Sequence, residues 1–236
     1  MASVIIPLAG PDFFSEKFGL KPFYKIDGRQ YLIDYILNSR PWSENNGDLF
    51  IFVLKNDAPY LQELINHIKS RYLDPKFVFL GSYSKGSLFS ALAGTALISD
   101  FDAPVIIDLA DIFFNLDLNV KDCFFNNKHI DCIVPYFHSS HSLFSYLSIQ
   151  NGFVIDAREK EVISNNASAG VYIFRNNQIF LDAVLFAINN PSLCMKNSIF
   201  YICPTICHLK HKQKSILPLI VSNAEPFSIS FQQYEN

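Results

Sequence analysis

The first half of the chain alternates short apolar runs with segments whose apolar residues repeat at helical spacing. SVIIP, LFIFVLK and KFVFLG are continuous and rich in β-branched or aromatic residues, which is typical of buried strands. Between these runs the apolar positions recur at i, i+3, i+4 and i+7, which predicts helices over 29–39, over 57–71 and from about Ser87. A fourth strand, APVIIDLAD, follows. This order predicts a parallel sheet flanked by helices, an α/β fold.

The second half has strand patterns separated by turn signals. HIDCIVPYF, SYLSIQNGFVID and AGVYIF predict strands, with a hairpin turn at Asn151-Gly152. Helical patterns cover 177–188 and 197–212, and ILPLIVS predicts a final strand.

Composition limits the classes of protein that fit. A chain of 236 residues with 50% hydrophobic and 17% charged residues can bury one sizeable core, so we expect one domain over residues 1–236. A net charge of −3 and a pI near 6.0 provide no positive field for nucleic acid or for an anionic membrane surface. The apolar runs are short, and the five cysteines are odd in number. We therefore expect a cytoplasmic protein with reduced thiols and without membrane insertion.

The opening stretch VIIPLAGPDFFSEKFGLKPFYKIDG raises the first candidate site. Ligands of open α/β sheets bind at the carboxyl ends of the strands. Gly10 permits a tight turn after Leu8 and Ala9, and Lys21 follows eleven residues later. A nucleotide phosphate could rest on this loop. An ordinary strand-to-helix turn with a surface lysine is the alternative.

Two further segments end at the same edge of the predicted sheet. In KGSLFSAL, Gly86 and Ser87 begin a helix and form either a simple cap or a loop that faces a base or phosphate. In VIIDLAD, a buried strand ends in Asp111, and a carboxylate there is suited to hold Mg²⁺ against nucleotide phosphates. Asp108 lies inside the strand and is expected to hydrogen-bond locally.

Together these segments resemble the nucleotidyltransferases that join a nucleoside triphosphate to a sugar 1-phosphate or another small phosphate ester. VIIPLAG with LKPFYKIDGRQYLIDYIL is similar to the opening of that family, and KGSLFSAL and IIDLADIFF fall where it has a base-contacting loop and a metal-binding aspartate. SYLSIQNGFVIDAREKEVISNNASAGVYIF resembles its sugar-side segment, and FYICPTICHLKHKQK resembles its late helix. The likeness covers most of residues 4–214 in the same order.

The resemblance implies a three-layer α/β sandwich with a mostly parallel, Rossmann-like mixed central sheet. It implies a nucleotide-binding half over about 1–118 and an acceptor-binding half over about 119–236. Lys21 and Asp111 would be catalytic, with Asp111 also binding the Mg²⁺ cofactor. The remaining implied contacts are Leu8, Ala9, Gly10, Lys21, Gly86 and Ser87 for the nucleotide, and Tyr146, Glu159, Lys160 and Gly170 for the acceptor. The implied role is pyrophosphate-releasing synthesis for surface polysaccharide or capsule.

The chain departs from the family in the first loop. Pro11, Asp12 and Phe13 stand where active members usually have two glycines and an arginine, so the loop loses an N–H donor and gains a negative charge. Near the last strand, where a second metal-binding carboxylate is expected, only Asn223 and Glu225 are present. A catalytically silent relative that binds a ligand or a partner protein is therefore one alternative. A glycosyltransferase of similar sheet topology is another.

Aromatic residues crowd the same loop, at Phe13, Phe14, Phe18, Phe23 and Tyr24. These rings either pack beneath the loop as core, or leave Phe13 or Phe14 exposed as a wall of the site or as a contact to a second subunit of a homo-oligomer.

Overall fold

The computed structural model describes residues 1–17, 19–42, 47–81 and 85–227. Its strands, in chain order, are β1 (Ser3–Leu8), β2 (Phe14–Ser15), β3 (Gly19–Leu20), β4 (Lys25–Ile26), β5 (Gln30–Tyr31), β6 (Leu49–Lys55), β7 (Lys76–Leu80), β8 (Val105–Asp108), β9 (Ile112–Asn115), β10 (Ile130–His138), β11 (Tyr146–Gln150), β12 (Phe153–Arg158), β13 (Asn166–Ser168), β14 (Val171–Phe174), β15 (Met195–Lys196), β16 (Ile199–Phe200), β17 (Ser215–Ile220) and β18 (Ser222–Pro226). Its α-helices are α1 (Leu32–Leu37), α2 (Leu61–Arg71), α3 (Ser87–Gly94), α4 (Val120–Asn126), α5 (Asn177–Asn189), α6 (Pro191–Cys194) and α7 (Ile206–His211). Short 3-10 turns occupy Pro11–Phe13, Lys21–Phe23, Thr95–Leu97 and Cys203–Thr205.

One large mixed sheet runs through the protein in the order β12-β11-β13-β10-β14-β8-β1-β6-β7, with β17 paired to β10. The pairs β8-β1, β1-β6, β6-β7 and β10-β17 are parallel, whereas β14 runs antiparallel to both β8 and β10. The predicted α/β class with a mixed sheet and a parallel core is therefore confirmed. The division into one domain with two functional halves stays a prediction.

Helices cover both faces of the sheet, which makes three layers. Successive side chains of a strand point to opposite faces. Val4 and Ile6 of β1 accordingly pack in the apolar cluster that contains α1 and α2, whereas Ile5 packs in the cluster that contains α3, α5 and α7. All three side chains are fully buried. The carboxyl end of β1 is thereby fixed from both sides, which holds the loop that follows it.

Most predicted elements are confirmed. The runs LFIFVLK and KFVFLG form β6 and β7, and the predicted helix over 177–188 is α5. The hairpin turn joins β11 to β12, with positive φ angles of 50° at Asn151 and 78° at Gly152. The helix predicted over 29–39 is shorter, because Gln30 and Tyr31 pair with β4 before α1 begins.

The helix predicted over 197–212 is wrong in its first part. Asn197 and Ser198 have positive φ angles of 52° and 61° and form the turn of a small β15-β16 hairpin. The helix α7 begins only at Ile206. The backbone N–H of Phe200 donates to the carbonyl of Lys85 at 2.8 Å, so a contact distant in sequence holds this segment extended.

The strand predicted to end in Asp111 ends earlier. β8 stops at Asp108, and Ala110 has a φ of 51°, which turns the chain out of the sheet. Asp111 therefore lies in the turn between β8 and β9, beyond the carboxyl end of the strand. β18, which was not predicted, pairs antiparallel with β9.

The aromatic residues of the first loop pack mainly beneath it. Phe13 is buried, and Phe14, Phe23 and Tyr24 are partly buried against the same apolar cluster. Phe18 lies outside the described residues. No helix among the described residues is both long enough and apolar enough to cross a membrane.

Candidate active site

A cavity of about 360 Å³ opens at the carboxyl ends of β1 and β8. Because these strands are parallel neighbours, the loops that follow them meet at one edge of the sheet. The predicted site residues that line the cavity are Leu8, Gly10, Lys21, Gly86, Ser87, Asp111, Glu159, Lys160 and Gly170. The fold thus brings residues from both halves of the sequence into one space.

Two residues that the resemblance assigned to ligand contacts lie elsewhere. Ala9 is buried in the backbone turn after β1, at 4% exposure, and does not line the cavity. Tyr146 is fully buried, and its hydroxyl donates to the carbonyl oxygen of His141 at 2.8 Å. The neighbouring Ser145 lines the cavity instead.

Lys21 carries its charge into the cavity next to two carboxylates. Its Nζ lies 2.5 Å from Oδ2 of Asp12, and its side chain is only 15% exposed. Burial would lower the pKa of Lys21, but attraction to Asp12 and then to Asp111 outweighs burial and raises that pKa above its usual value. Lys21 is therefore a permanent cation at neutral pH.

Asp12 stays ionised in this pair. The surrounding protein atoms would raise the pKa of the Asp12 carboxyl, but the charge and hydrogen bond of Lys21 outweigh that effect, and its pKa falls below the usual value. Asp12 sits in the middle of the 3-10 turn Pro11–Phe13, which Phe13 anchors in the core. The acid that the sequence marked as a departure is thus the direct partner of Lys21.

Asp111 presents a partly buried carboxylate to the cavity. Its Oδ1 is buried and has no hydrogen-bond partner among the described residues. Burial raises the pKa of Asp111, Lys21 opposes that rise, and the nearby Asp12 adds to it. A buried carboxylate oxygen without a partner is costly unless a cation or a donor joins it.

Gly170 fits against this carboxylate. Gly170 has a φ of +72°, and a β-carbon placed on it would lie 2.9 Å from Oδ1 of Asp111. Its carbonyl accepts from the N–H of Leu109 at 3.0 Å, which ties the start of β14 to the Asp111 turn. Only glycine satisfies both the backbone angle and the close approach.

A buried ion pair holds the turn that carries Asp111. Nε of Arg40 donates to Oδ2 of Asp108 at 2.7 Å, and both side chains are shielded from solvent. Oδ1 of Asp108 accepts from the N–H of Ala110 at 2.9 Å, while Nη2 of Arg40 donates to the carbonyl of Ile112 at 2.8 Å. The pair therefore fixes the backbone on both sides of Asp111, and Asp108 hydrogen-bonds locally as expected.

Another wall of the cavity contains Glu159 and Lys160. The hydroxyl of Ser145 donates to Oε2 of Glu159 at 2.5 Å. Burial raises the pKa of Glu159, and the Ser145 hydrogen bond and Lys160 partly offset the rise. Nζ of Lys196 donates to the carbonyls of Glu159 and Lys160 at 3.3 and 3.0 Å, so the β15-β16 hairpin supports this wall.

The amino terminus of α3 also lines the cavity. Gly86 has a φ of +110°, and a β-carbon on it would stand 2.3 Å from the carbonyl oxygen of Phe200. Gly86, Ser87 and Ser90 all line the cavity. The close contact with Phe200 requires glycine at the helix start.

The residues of the cavity fit a magnesium ion held mainly by its ligand. Mg²⁺ is usually bound through one or two carboxylates together with substrate phosphates. Asp111 offers one such carboxylate, with its unpartnered Oδ1 as the supporting observation. Among the described residues no cluster of three or more histidine, cysteine or acidic side chains could hold a metal by itself. Glu225 lies outside the cavity lining and accepts from the hydroxyl of Tyr35 at 3.1 Å.

Sequence reasoning missed several cavity residues. Ser145, Tyr172, Tyr201 and Cys203 all line the space, and Arg40 supports it. Their positions depend on β10 to β17 folding back against β8, which no local pattern reveals. Among these four lining residues only Ser145 has a local signal, because it is the polar first residue of the predicted strand SYLSIQNGFVID.

Comparison with known proteins shows what the fold resembles. The sequence matches no family model and no curated protein. The structure is similar to a nucleoside-diphosphate-sugar pyrophosphorylase from Vibrio cholerae RC9, with a TM-score of 0.82, 18% identity and 98% of each chain covered.

Two other solved structures share the architecture. A UDP-glucose pyrophosphorylase complexed with UDP-glucose gives a TM-score of 0.68 at 17% identity, covering 100% of this chain and 99% of that one. The inositol-1-phosphate CTP transferase from T. maritima gives 0.63 at 11% identity, covering 95% of this chain and 86% of that one. The chain therefore has the α/β fold found in these nucleotidyltransferases.

Proposed function

We propose that this protein is a Mg²⁺-dependent nucleotidyltransferase that joins a nucleoside triphosphate to a sugar 1-phosphate or similar small phosphate ester and releases pyrophosphate. The observation that carries the proposal is one cavity in which Lys21, Asp111 with its buried Oδ1 and the start of α3 meet Glu159 and Lys160. The shared fold supports the reaction class. We assign the activity to the cytoplasm and to the supply of surface polysaccharide or capsule.

The geometry suits a reaction that depends mainly on position and charge. An oxygen of the acceptor phosphate attacks the α-phosphorus, the new oxygen–phosphorus bond forms, and the bond to pyrophosphate breaks. Lys21 binds the phosphates as a compact cation and offsets their charge as pyrophosphate leaves. Asp111 would hold the Mg²⁺, which neutralises phosphate charge when bound.

The other walls position the two substrates. Gly86 and Ser87 place the start of α3 at the cavity, and the N–H groups of a helix start favour a phosphate or the polar edge of a base. Glu159 and Lys160 line the same cavity, where a carboxylate can accept from acceptor hydroxyls and an ammonium can meet the acceptor phosphate. Holding both reactants in one small cavity removes much of the entropic cost of their encounter.

Pyrophosphate release tests the proposal. Nucleoside triphosphates are combined in turn with sugar 1-phosphates and other small phosphate esters in the presence of Mg²⁺. We expect release with at least one pair, and none with the Asp111→Asn variant. No release with any pair, together with no gain in thermal stability from any nucleotide with Mg²⁺, would contradict the proposal.

One observation favours a second candidate, a catalytically silent relative that binds a ligand or partner enzyme. In the free protein the Lys21 ammonium is already paired with Asp12 at 2.5 Å. This candidate expects Asp111→Asn to leave binding and cellular function intact. A large loss of function in that variant would exclude it.

A glycosyltransferase that holds its metal through two aspartates gains no support. Asp108 is fully buried and engaged by Arg40 and by the N–H of Ala110. It is therefore not free to join Asp111 at a metal.

A further inference from the structure

The cavity is charged in a way that opposes the ligand of the proposed function. Its lining contains three carboxylates, on Asp12, Asp111 and Glu159, and two ammonium groups, on Lys21 and Lys160. A polyphosphate is itself strongly negative, so it enters a space whose acidic groups outnumber its basic ones. Like charges at close range cost free energy that rises as water is excluded.

Asp12 is the carboxylate that would repel a bound phosphate most directly, because it occupies the ammonium of Lys21. Its carboxylate lies 2.5 Å from Nζ of Lys21, the position that a ligand oxygen needs in order to bind that ammonium. The Asp12 side chain is 65% exposed, whereas that of Lys21 is 15% exposed. A ligand that arrives from solvent therefore meets Asp12 before it reaches Lys21.

The loop holds Asp12 in this position. The 3-10 turn Pro11–Phe13 begins with proline, and Phe13, at 3% exposure, ties its end to the core. The N–H of Phe13 donates to the carbonyl of Gly10 at 3.2 Å and closes the turn. Gly10 also leaves room for the acid, because a β-carbon there would lie 2.9 Å from Oδ1 of Asp12. The backbone that carries the carboxylate is thus held by the core, and Lys21 pairs with the carboxylate itself.

We propose that Asp12 is a specificity-determining residue that competes with ligand phosphate for Lys21 and so makes the cavity select a polyphosphate complexed with a divalent cation over the free anion. A free polyphosphate must displace Asp12 and then remain beside its charge. A polyphosphate complexed with a divalent cation brings that cation as a partner for the displaced Asp12 carboxylate and for Asp111. The inference rests on the proposed function in taking a polyphosphate as the ligand.

Calorimetric binding of inorganic pyrophosphate tests this selection without requiring turnover. The dissociation constant is measured with EDTA and again with excess Mg²⁺, for the wild type and for Asp12→Asn. Asp12→Glu keeps the carboxylate, and Asp102→Asn makes the same charge change at an exposed residue near the opposite end of β8. Circular dichroism of each variant confirms folding.

In the wild type we expect pyrophosphate to bind about tenfold or more weakly with EDTA than with Mg²⁺. Asp12→Asn should tighten binding of the free anion by about tenfold and shrink the difference by the same factor, leaving the share that Mg²⁺ at Asp111 contributes, whereas Asp12→Glu and Asp102→Asn should keep the full difference. If the wild type binds pyrophosphate and Asp12→Asn binds the free anion equally or more weakly, the inference is overturned and the proposed function is not. If no variant binds pyrophosphate under either condition, the inference is overturned, and the release assay decides the proposed function separately.

Discussion

Gly170 lies so close to Asp111 that a β-carbon on the glycine would stand 2.9 Å from Oδ1 of the acid. We predict that Gly170→Ala displaces the Asp111 carboxylate and removes turnover. The positive φ of +72° adds a cost of about 1–2 kcal/mol to the folded state, which urea denaturation can measure.

A matched control separates backbone strain from the contact. Gly152 has a similar φ of +78°, but nothing lies within 4 Å of its added β-carbon. Gly152→Ala should therefore lower the free energy of unfolding by a similar amount, about 1–2 kcal/mol, and keep full turnover. Equal turnover in the two variants would contradict the role given to the Gly170 contact.

Removing either partner of the Arg40–Asp108 ion pair should strongly destabilise the fold. Replacing one partner leaves the other as a buried charge, so Arg40→Met or Asp108→Leu should each lower the free energy of unfolding by about 3–5 kcal/mol. The double variant should lose less than the two single changes together. Urea denaturation of all three measures the coupling.

Lys76 and Asp74 supply the control for this pair. Their ion pair is 2.6 Å long, but the side chains are 42% and 81% exposed, so Lys76→Met should change stability by no more than about 0.5 kcal/mol. If Arg40→Met costs as little as Lys76→Met, the pair does not hold the Asp111 turn.

The raised pKa of Glu159 should make the stability of the protein depend on pH. Burial raises its pKa in the folded protein, so the ionised form destabilises the fold at neutral pH, and this penalty is absent below the ordinary value of 4.5. Glu159→Gln keeps an acceptor for Ser145 and removes the charge. The variant should therefore be more stable than the wild type at pH 7, and the gain should fade as the pH drops toward 4.5.

Thermal unfolding of both proteins across this pH range provides the measurement. Glu161→Gln is the matched control, because it makes the same charge change at an exposed neighbouring residue. Glu161→Gln should show no such gain. A Glu159→Gln variant less stable than the wild type at pH 7 would contradict the account.

The sequence predicts strands and helices well where the apolar pattern matches the burial of the element. β1, β6, β7 and the helix α2 follow directly from apolar spacing, because local period and burial agree there. The prediction for 197–212 is wrong only before the helix α7, because Ile199 and Phe200 continue the apolar spacing of Ile206 upstream of that helix. Ile199 and Phe200 instead form β16, which is held by the β15-β16 hairpin and by the contact of Phe200 with the distant carbonyl of Lys85.

The candidate site is predictable to a similar extent. Lys21 and Asp111 follow from their places after β1 and β8, since parallel strands deliver such residues to one edge of the sheet. The pairing of Lys21 with Asp12 and the unpartnered Oδ1 of Asp111 do not follow, because they depend on how the two loops pack together. Tyr146 fails as a contact because strand alternation places its ring in the core and Ser145 in the cavity.

The most direct test of the central claim is pyrophosphate release by Lys21→Ala at saturating nucleoside triphosphate and acceptor. Lys25→Ala, an exposed lysine outside the cavity, is the matched control and should behave as the wild type. Lys21 is the cation that the β1 loop contributes to the cavity, so its loss should reduce turnover by about a thousandfold or more at saturation and not merely raise KM. Near-normal turnover by Lys21→Ala in an otherwise active preparation would contradict the assignment of this cavity as the site of nucleotidyl transfer.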